Sequence, residues 1–350
     1  MFDSPRGYQS TRTYDIYKRL YRATIPLMQI RRIIPLVLPF LFALIPTHAS
    51  SQSASHPTVQ NLKVTVLSTM LSDRNLGEWG FAALVEADGH RILVDTGARP
   101  ETVFTNVQEL RLDLSDVREV ILTHNHSDHV GGLLTLRREF MKKNPAALSI
   151  VHVGKGIFYS RPEDGKEDNP MISIRKEYEA TGGKIVEHDA PAELFPGAWL
   201  TGPVPRQYPE HNWSVVGKVQ TPSGLVEDNI PEDQSLVLNT NKGLVVVSGC
   251  GHAGVVNTLT FAEKEFPNTA VYALLGGFHL FSAADDHLDW TADKLKDFKV
   301  SYLVGAHCTG IEAVYRIRQR LNLTRQSAVV GAVGATFVLG EGIHPGLIAQ

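Results

Sequence analysis

Cysteine is scarce in this chain: 350 residues hold only Cys250 and Cys308, which allows one disulfide at most. No apolar run reaches the 18 or more residues that a comfortable membrane-spanning helix needs, and the longest, residues 33–46, is 14 residues long. Basic clusters are also missing from the body of the chain. Residues 1–49 hold seven Lys+Arg and two Asp+Glu, which leaves 27 basic against 35 acidic residues for the rest. A body without a positive track argues against nucleic acid as substrate, because binding a phosphate backbone needs one. No nucleophile elbow, P-loop or dinucleotide-binding unit competes for the chemistry, and internal repeats and low-complexity segments are absent. What remains is ordinary globular composition, 43% hydrophobic and 20% charged, enough to bury one large core.

The apolar run 33–46 follows Arg31-Arg32 and leads into Thr47-His48-Ala49-Ser50-Ser51. A basic flank, a short apolar stretch and a small-residue exit describe a secretory signal at about 28–49, and predict a periplasmic or secreted protein. Pro35, Pro39 and Pro46 oppose a long regular helix there. Met28 stands just before the basic pair and is a candidate start, with 1–27 an early reading of it. The rival is an uncleaved segment that anchors the chain in a membrane. Residues 1–49 are therefore read as extension and signal, 50–60 as a flexible leader, 61–342 as one domain and 343–350 as a tail.

The densest signal is Thr123-His124-Asn125-His126-Ser127-Asp128-His129-Val130-Gly131-Gly132. Three histidines and an aspartate within six residues, H-x-H-x-D-H, serve no folding requirement, since unpaired histidine is costly to bury. They suit a divalent metal, for which imidazole and carboxylate are preferred ligands. Val120–Leu122 reads as a buried strand ahead of the run, and the glycine pair allows a tight turn before a helix over 133–140.

Elsewhere, strands and helices alternate. Residues 62–67 read as a first strand. Residues 81–86 and 91–95 form a hairpin about Asp88-Gly89. Strands follow at 149–153, at 236–238 with 243–248 about Asn241-Lys242, at 271–275 and at 299–304. Helices are expected over 284–296 and 311–321. Residues 155–182 lack clear periodicity and read as an insertion at the rim of a site. Residues 331–336 are glycine-rich in a strand context and read as tight packing. Three strands run straight into glycine-flanked histidines: Ser248-Gly249-Cys250-Gly251-His252-Ala253-Gly254, Gly276-Gly277-Phe278-His279-Leu280 and Gly305-Ala306-His307-Cys308-Thr309-Gly310.

With H-x-H-x-D-H, these motifs make the chain from about Leu62 to Leu339 resemble the metallo-β-lactamase superfamily. The set is most similar to a branch resembling 7,8-dihydropterin-6-methyl-4-(β-D-ribofuranosyl)-aminobenzene-5′-phosphate synthase, a dihydropteroate-synthase-like group. The resemblance implies an α+β fold, a four-layer αββα sandwich. It implies one or two divalent ions, with zinc ahead of iron or manganese, held by His124, His126 and His252 and by Asp128, His129 and His307. Asp95, closing its hairpin, becomes a buttress behind a ligand, or else the cap of the helix after Pro100. Cys250 stands where the family commonly has a bridging aspartate, and Glu232-Asp233-Gln234 where a third histidine is usual. Cys250, Asp95, His279 and Asp233 are thus candidates for the metal or its surroundings, and a Cys250–Cys308 disulfide is the alternative use of the two thiols.

The activity implied is hydrolysis of an ester, phosphoester or related bond of a small molecule by a metal-bound hydroxide, with Asp128 orienting the nucleophile or acting as base. A pterin/aminobenzene-ribose-phosphate transferase and an inactive metal-binding protein are the other readings. Residues 155–230, with Tyr159, Arg161, Arg175, Tyr178, Arg206, Tyr208, His211 and Trp213, are expected to shape the pocket mouth.

Overall fold

A computed structural model describes residues 56–211 and 217–349. The expected export signal lies outside them. Among the described residues no helix is long and apolar enough to cross a membrane.

The chain lays down its strands in two runs. The first holds β1 (Leu62–Ser68), β2 (Ala82–Ala87) and β3 (His90–Val94), then α1 (Thr102–Glu109), β4 (Glu119–Leu122), α2 (Ser127–Val130), α3 (Leu133–Phe140) and β5 (Ile150–Gly154). A small hairpin, β6 (Pro162–Glu163) and β7 (Lys166–Glu167), precedes α4 (Pro170–Ala180) and β8 (Lys184–His188). The second run is β9 (Ala192–Phe195), β10 (Ala198–Leu200), a second small hairpin of β11 (Lys218–Thr221) and β12 (Gly224–Glu227), then β13 (Ser235–Thr240) and β14 (Gly243–Ser248). It continues through α5 (Val255–Glu265), β15 (Val271–Gly276), α6 (Asp285–Asp297), β16 (Tyr302–Gly305), α7 (Ile311–Arg320) and β17 (Ala328–Val330). The chain then returns to the first sheet as β18 (Thr336–Val338) and β19 (Gly342–His344).

One sheet has the order β19-β18-β1-β2-β3-β4-β5-β8, the other β17-β16-β15-β14-β13-β10-β9. Strand periodicity makes the layers. Val245 and Val247 of β14 enter the core between the sheets, whereas Leu244 and Val246 face α5, α6 and α7. Ile121 of β4 likewise faces the inter-sheet core, while Val120 and Leu122 pack with α1, α3 and α4. Both strands are buried on both faces, which is why they read as continuous apolar runs. The result is the four-layer αββα sandwich. In the β2–β3 hairpin Asp88 and Gly89 have φ of 46° and 86°, the paired positive values that a two-residue primed turn needs.

Several expectations are corrected. The leader is not flexible to residue 60: Val59 is buried and its N–H donates to Asn239 O, while Asp88 accepts from the N–H groups of Gln60 and Asn61. The tail from 343 is not separate, because β19 pairs with β18 through Phe337 and Ile343. The strand expected from 299 starts at Tyr302, since Lys299 sits at φ 60° after α6 ends. The insertion at 155–182 contains α4, where Asn169 accepts from Met171 N and Pro170 fills the first turn.

Candidate metal centre

Every candidate ligand but Asp233, which lies ahead of β13, sits where a strand of one sheet or the other gives out. From the first sheet, β4 ends at Leu122 and the chain turns through His124 and Asn125. His126, with extended backbone, is then the residue that starts α2, and Asp128 and His129 lie on that one-turn helix. From the second sheet, β14 leads to Cys250 and His252, β15 to His279, and β16 to His307 and Cys308. His279 and His307 have φ of 48° and 47°, a left-handed conformation uncommon for a residue with a Cβ. Such strain is kept where a side chain must be aimed.

The donor atoms converge in overlapping groups. Those of His124, His126 and His252 lie within 4.8 Å of one another, and so do those of Asp128, His129 and His307. Cys250 joins three further groups of the same compactness: with His124 and His129, with His252 and His279, and with His307 and Cys308. Its Sγ is 3.1 Å from His129 Nε2, which is itself 3.3 Å from His307 Nε2. His307 Nε2 lies 3.3 Å from Asp128 Oδ2. The expected six are thus brought together, and His279 and Cys250 stand with them. Both thiols are free and buried, with their Sγ atoms 3.2 Å apart.

Asp95 settles into one of its two expected roles. Its Oδ1 accepts from Thr123 N, and its Oδ2 accepts from Thr123 Oγ1 at 2.8 Å and from His129 Nδ1 at 2.6 Å. It does not cap α1, whose flanking residue is Glu101. Since the one proton of the Thr123 hydroxyl goes to Asp95, Thr123 Oγ1 must accept from His124 Nδ1 at 3.0 Å. That fixes the tautomer of His124 and leaves the lone pair on Nε2, a buried atom with no hydrogen-bond partner among the described residues. A histidine oriented by one nitrogen with the other bare toward a donor cluster fits a metal ion.

Asp233 is not among the clustered donors. It is buried, accepts from Ala253 N at 2.7 Å and so holds the turn that carries His252, and burial pushes its carboxyl up to about 7. Burial likewise pulls His126 down to about 4 and His124 well down, so both are neutral and able to ligate. His129 is opposite in sense: burial lowers it, but Asp95 and Asp128 outweigh that and raise it to about 9. Burial would raise Asp128, yet His129 and His307 hold it below the ordinary carboxylate range. Burial pushes the Cys250 thiol well up.

A cavity of about 970 Å³ opens beside the centre, lined among others by Trp79, His126, Asp128, Arg161 and Lys218. Of the residues expected at its mouth, Arg161 is there, but as half of a buried network. Its Nε donates to Asp228 at 2.5 Å, and its second terminal nitrogen donates to both oxygens of Glu232, at 2.9 and 2.8 Å. Glu232 also accepts from Asn125 N, so this network braces the H-x-H turn. Tyr178 is not at the mouth; it is fully buried with its hydroxyl donated to Leu148 O. Trp213 lies outside the described residues. Sequence reasoning also missed Thr69, whose Oγ1 accepts from His307 N at 2.9 Å across 238 positions, a contact with no local signal.

The family model for the metallo-beta-lactamase superfamily matches residues 80–307. Over 266 residues the chain is 30% identical to the 7,8-dihydropterin-6-methyl-4-(beta-D-ribofuranosyl)-aminobenzene-5'-phosphate synthase of Methanocaldococcus jannaschii, covering 73% of this chain and 90% of that protein. An uncharacterized protein of the same organism is 28% identical over 260 residues, 73% of this chain and 91% of the relative. Among solved structures, Tm1679, described as a metal-dependent hydrolase of the beta-lactamase superfamily, superposes with a TM-score of 0.62 at 25% identity, over 79% of this chain and 98% of that one.

Proposed function

Because this chain belongs to the metallo-β-lactamase superfamily, we propose that it is a metal-dependent hydrolase that cleaves an ester, phosphoester or related bond of a small molecule. The observation that carries the reading is the meeting of two donor triads, His124/His126/His252 and Asp128/His129/His307, around the one sulfur of Cys250. Divalent ions bound there, zinc first among the candidates, supply Lewis acidity and lower the pKa of water.

The chain's own residues do the rest. Asp95 holds His129 by Nδ1, and Thr123 holds His124 by Nδ1, so both rings present Nε2 to the centre. Asp128 lines the cavity and faces the approaching substrate. Its part is to orient the attacking water by accepting its hydrogen bond, or to act as base where it is not engaged as a ligand. The Glu232–Arg161 pair keeps the H-x-H turn rigid while substrate enters.

Changing His126 to Ala should cut bound metal and hydrolysis together, with metal read by elemental analysis and hydrolysis by a panel of phosphodiesters, lactones, β-lactams and sulfate esters. Full metal content and full activity in that variant would overturn the assignment.

The 30% identity to a synthase supports a second reading, transfer of a pterin-6-methyl group that carries a leaving group to the amine of an aminobenzene-ribose phosphate, with loss of that leaving group and of one amine proton. Supplying both partners to metal-loaded protein separates the two: coupled product with no hydrolysis of the panel favours transfer. We also propose that residues 28–49 direct export, which would part a biosynthetic transferase from its soluble intermediates and so favours hydrolysis.

A further inference from the structure

Two large aromatic side chains stand in solvent beside the centre. Trp79 is 45% exposed and Phe281 48%. Their rings meet edge to face with centroids 5.3 Å apart. Each also touches a histidine of the centre: Trp79 lies 5.0 Å from the His307 ring, and Phe281 lies 5.2 Å from His279.

Exposure of a single apolar residue needs no explanation. Here the backbone beneath both rings is fixed, so their exposure is not slack. Glu78, next to Trp79, is buried with its carboxylate taken by Ser68 Oγ and by the N–H groups of Ala98 and Arg99. On the other side, Phe81 N donates to Asp128 O, and a Cβ on Gly80 would stand 2.8 Å from that same oxygen. Phe281 N donates to Cys308 O at 3.1 Å, and a Cβ on Gly310 would stand 2.7 Å from Phe281 Cα. Segments that carry candidate ligands, at Asp128 and at Cys308, therefore pack against the backbone beside both rings. Trp79 shares the 970 Å³ cavity with His126 and Asp128.

A rigid apolar ledge that opens onto the cavity of a polar centre is built for a ligand with both characters. We propose that Trp79 and Phe281 form a platform for a planar aromatic or heteroaromatic ring, and that the substrate carries this ring directly beside the acyl or phosphoryl group to be cleaved. This rests on the hydrolase reading above and narrows its substrate class. Aromatic pairs prefer offset or edge-to-face geometry, and their contact adds to the gain from burying ring area. The free ledge already shows that geometry.

Phenylphosphonate and methylphosphonate test it, because they share an uncleavable dianionic head and differ in the ring. Calorimetric titration of metal-loaded protein should show phenylphosphonate binding about tenfold tighter or more. In Trp79→Ala and in Phe281→Ala that preference should fall below about threefold, with methylphosphonate affinity unchanged, and Trp79→Phe should keep most of it. Equal affinities in the wild type, or a preference that survives the double alanine variant, would overturn the platform while leaving the metal centre standing. Failure of the protein to hold metal would sink the hydrolase reading instead. If neither phosphonate binds, 4-nitroaniline, a ring without an anion, decides by tryptophan quenching: quenching that Trp79→Ala abolishes supports the platform, and none overturns it. Reversible dimerisation lost in Trp79→Ala, with no ring preference in the wild type, would make the ledge a contact between copies and overturn it as well.

Discussion

At the scale of single residues, Cys250 stands where three groups of candidate donors meet. Buried beside His129 and among three donor groups, its thiol is held protonated unless a cation replaces the proton. With metal bound the sulfur should therefore stay closed to iodoacetamide, whereas after chelation labelling should be slow near neutral pH and rise as alkaline pH removes the proton, read by mass spectrometry. Cys250→Ser should lower the occupancy of the second ion more than the first, since His124, His126 and His252 remain. Cys250→Asp should keep or raise it. Unchanged occupancy in both variants, with equal labelling, would make the residue a packing group. Asp95 offers an independent check. Its carboxylate meets no ion in the proposed arrangement, yet Asp95→Asn should weaken metal binding by roughly 10- to 100-fold, the usual cost of losing the group behind a ligand histidine. Competition with a chromophoric chelator measures this. The H-x-H-x-D-H residues were legible as candidate ligands because their density has no folding use, and their donor atoms do converge. Asp95 was left open, because the groups its carboxylate binds lie 28 and 34 positions away and sequence shows no such pairing.

At the scale of elements, α5 has the most to teach. Its first turn is capped from a distance: Glu210 accepts from Val256 N at 3.1 Å and Asn257 N at 2.8 Å, three residues past the turn that bears His252. Burial nonetheless pushes the Glu210 carboxyl up to about 7. A carboxyl raised on folding contributes stability that is complete below its ordinary value near 4.5 and is lost as pH climbs through about 7. Denaturant melts should thus show wild type losing stability over that window relative to Glu210→Gln, whose own curve is flatter. Parallel curves would assign the slope to other groups. The turn cannot adapt easily, for a Cβ on Gly254 would stand 2.2 Å from Glu210 Oε2. Elements were legible where one local rule dominated. β14 is continuous apolar, and the β2–β3 hairpin has its Asp-Gly turn. Short or weakly patterned pieces were not: α2 is one turn long, and α4 buries only Met171 and Tyr178, so neither shows a helical period.

At the scale of the whole molecule, the proposed export signal predicts a mature N-terminus between about Ser50 and Ala54, read by terminal sequencing of protein from its native-type host. Recovery from cytosol starting at Met1 or Met28 would refute it. The four-layer architecture itself was legible through family resemblance, and the pairing order of the sheets was not, because β18 and β19 return to β1 across the length of the domain. The donors are divided between the two sheets: His124, His126, Asp128 and His129 follow β4, whereas Cys250, His252, His279 and His307 follow β14, β15 and β16. Mechanically, these are two plates meeting at one edge, and an ion at that edge is a rivet. Sliding one plate by an ångström would spoil its coordination, so coordination resists the slide. Free ion at a hundredfold excess over its dissociation constant adds about 2.7 kcal/mol to folding stability. Chelation should lower the melting temperature by several degrees, and hydrogen exchange should rise first in β4 and β14, at the riveted edge, before it rises at β8 and β9.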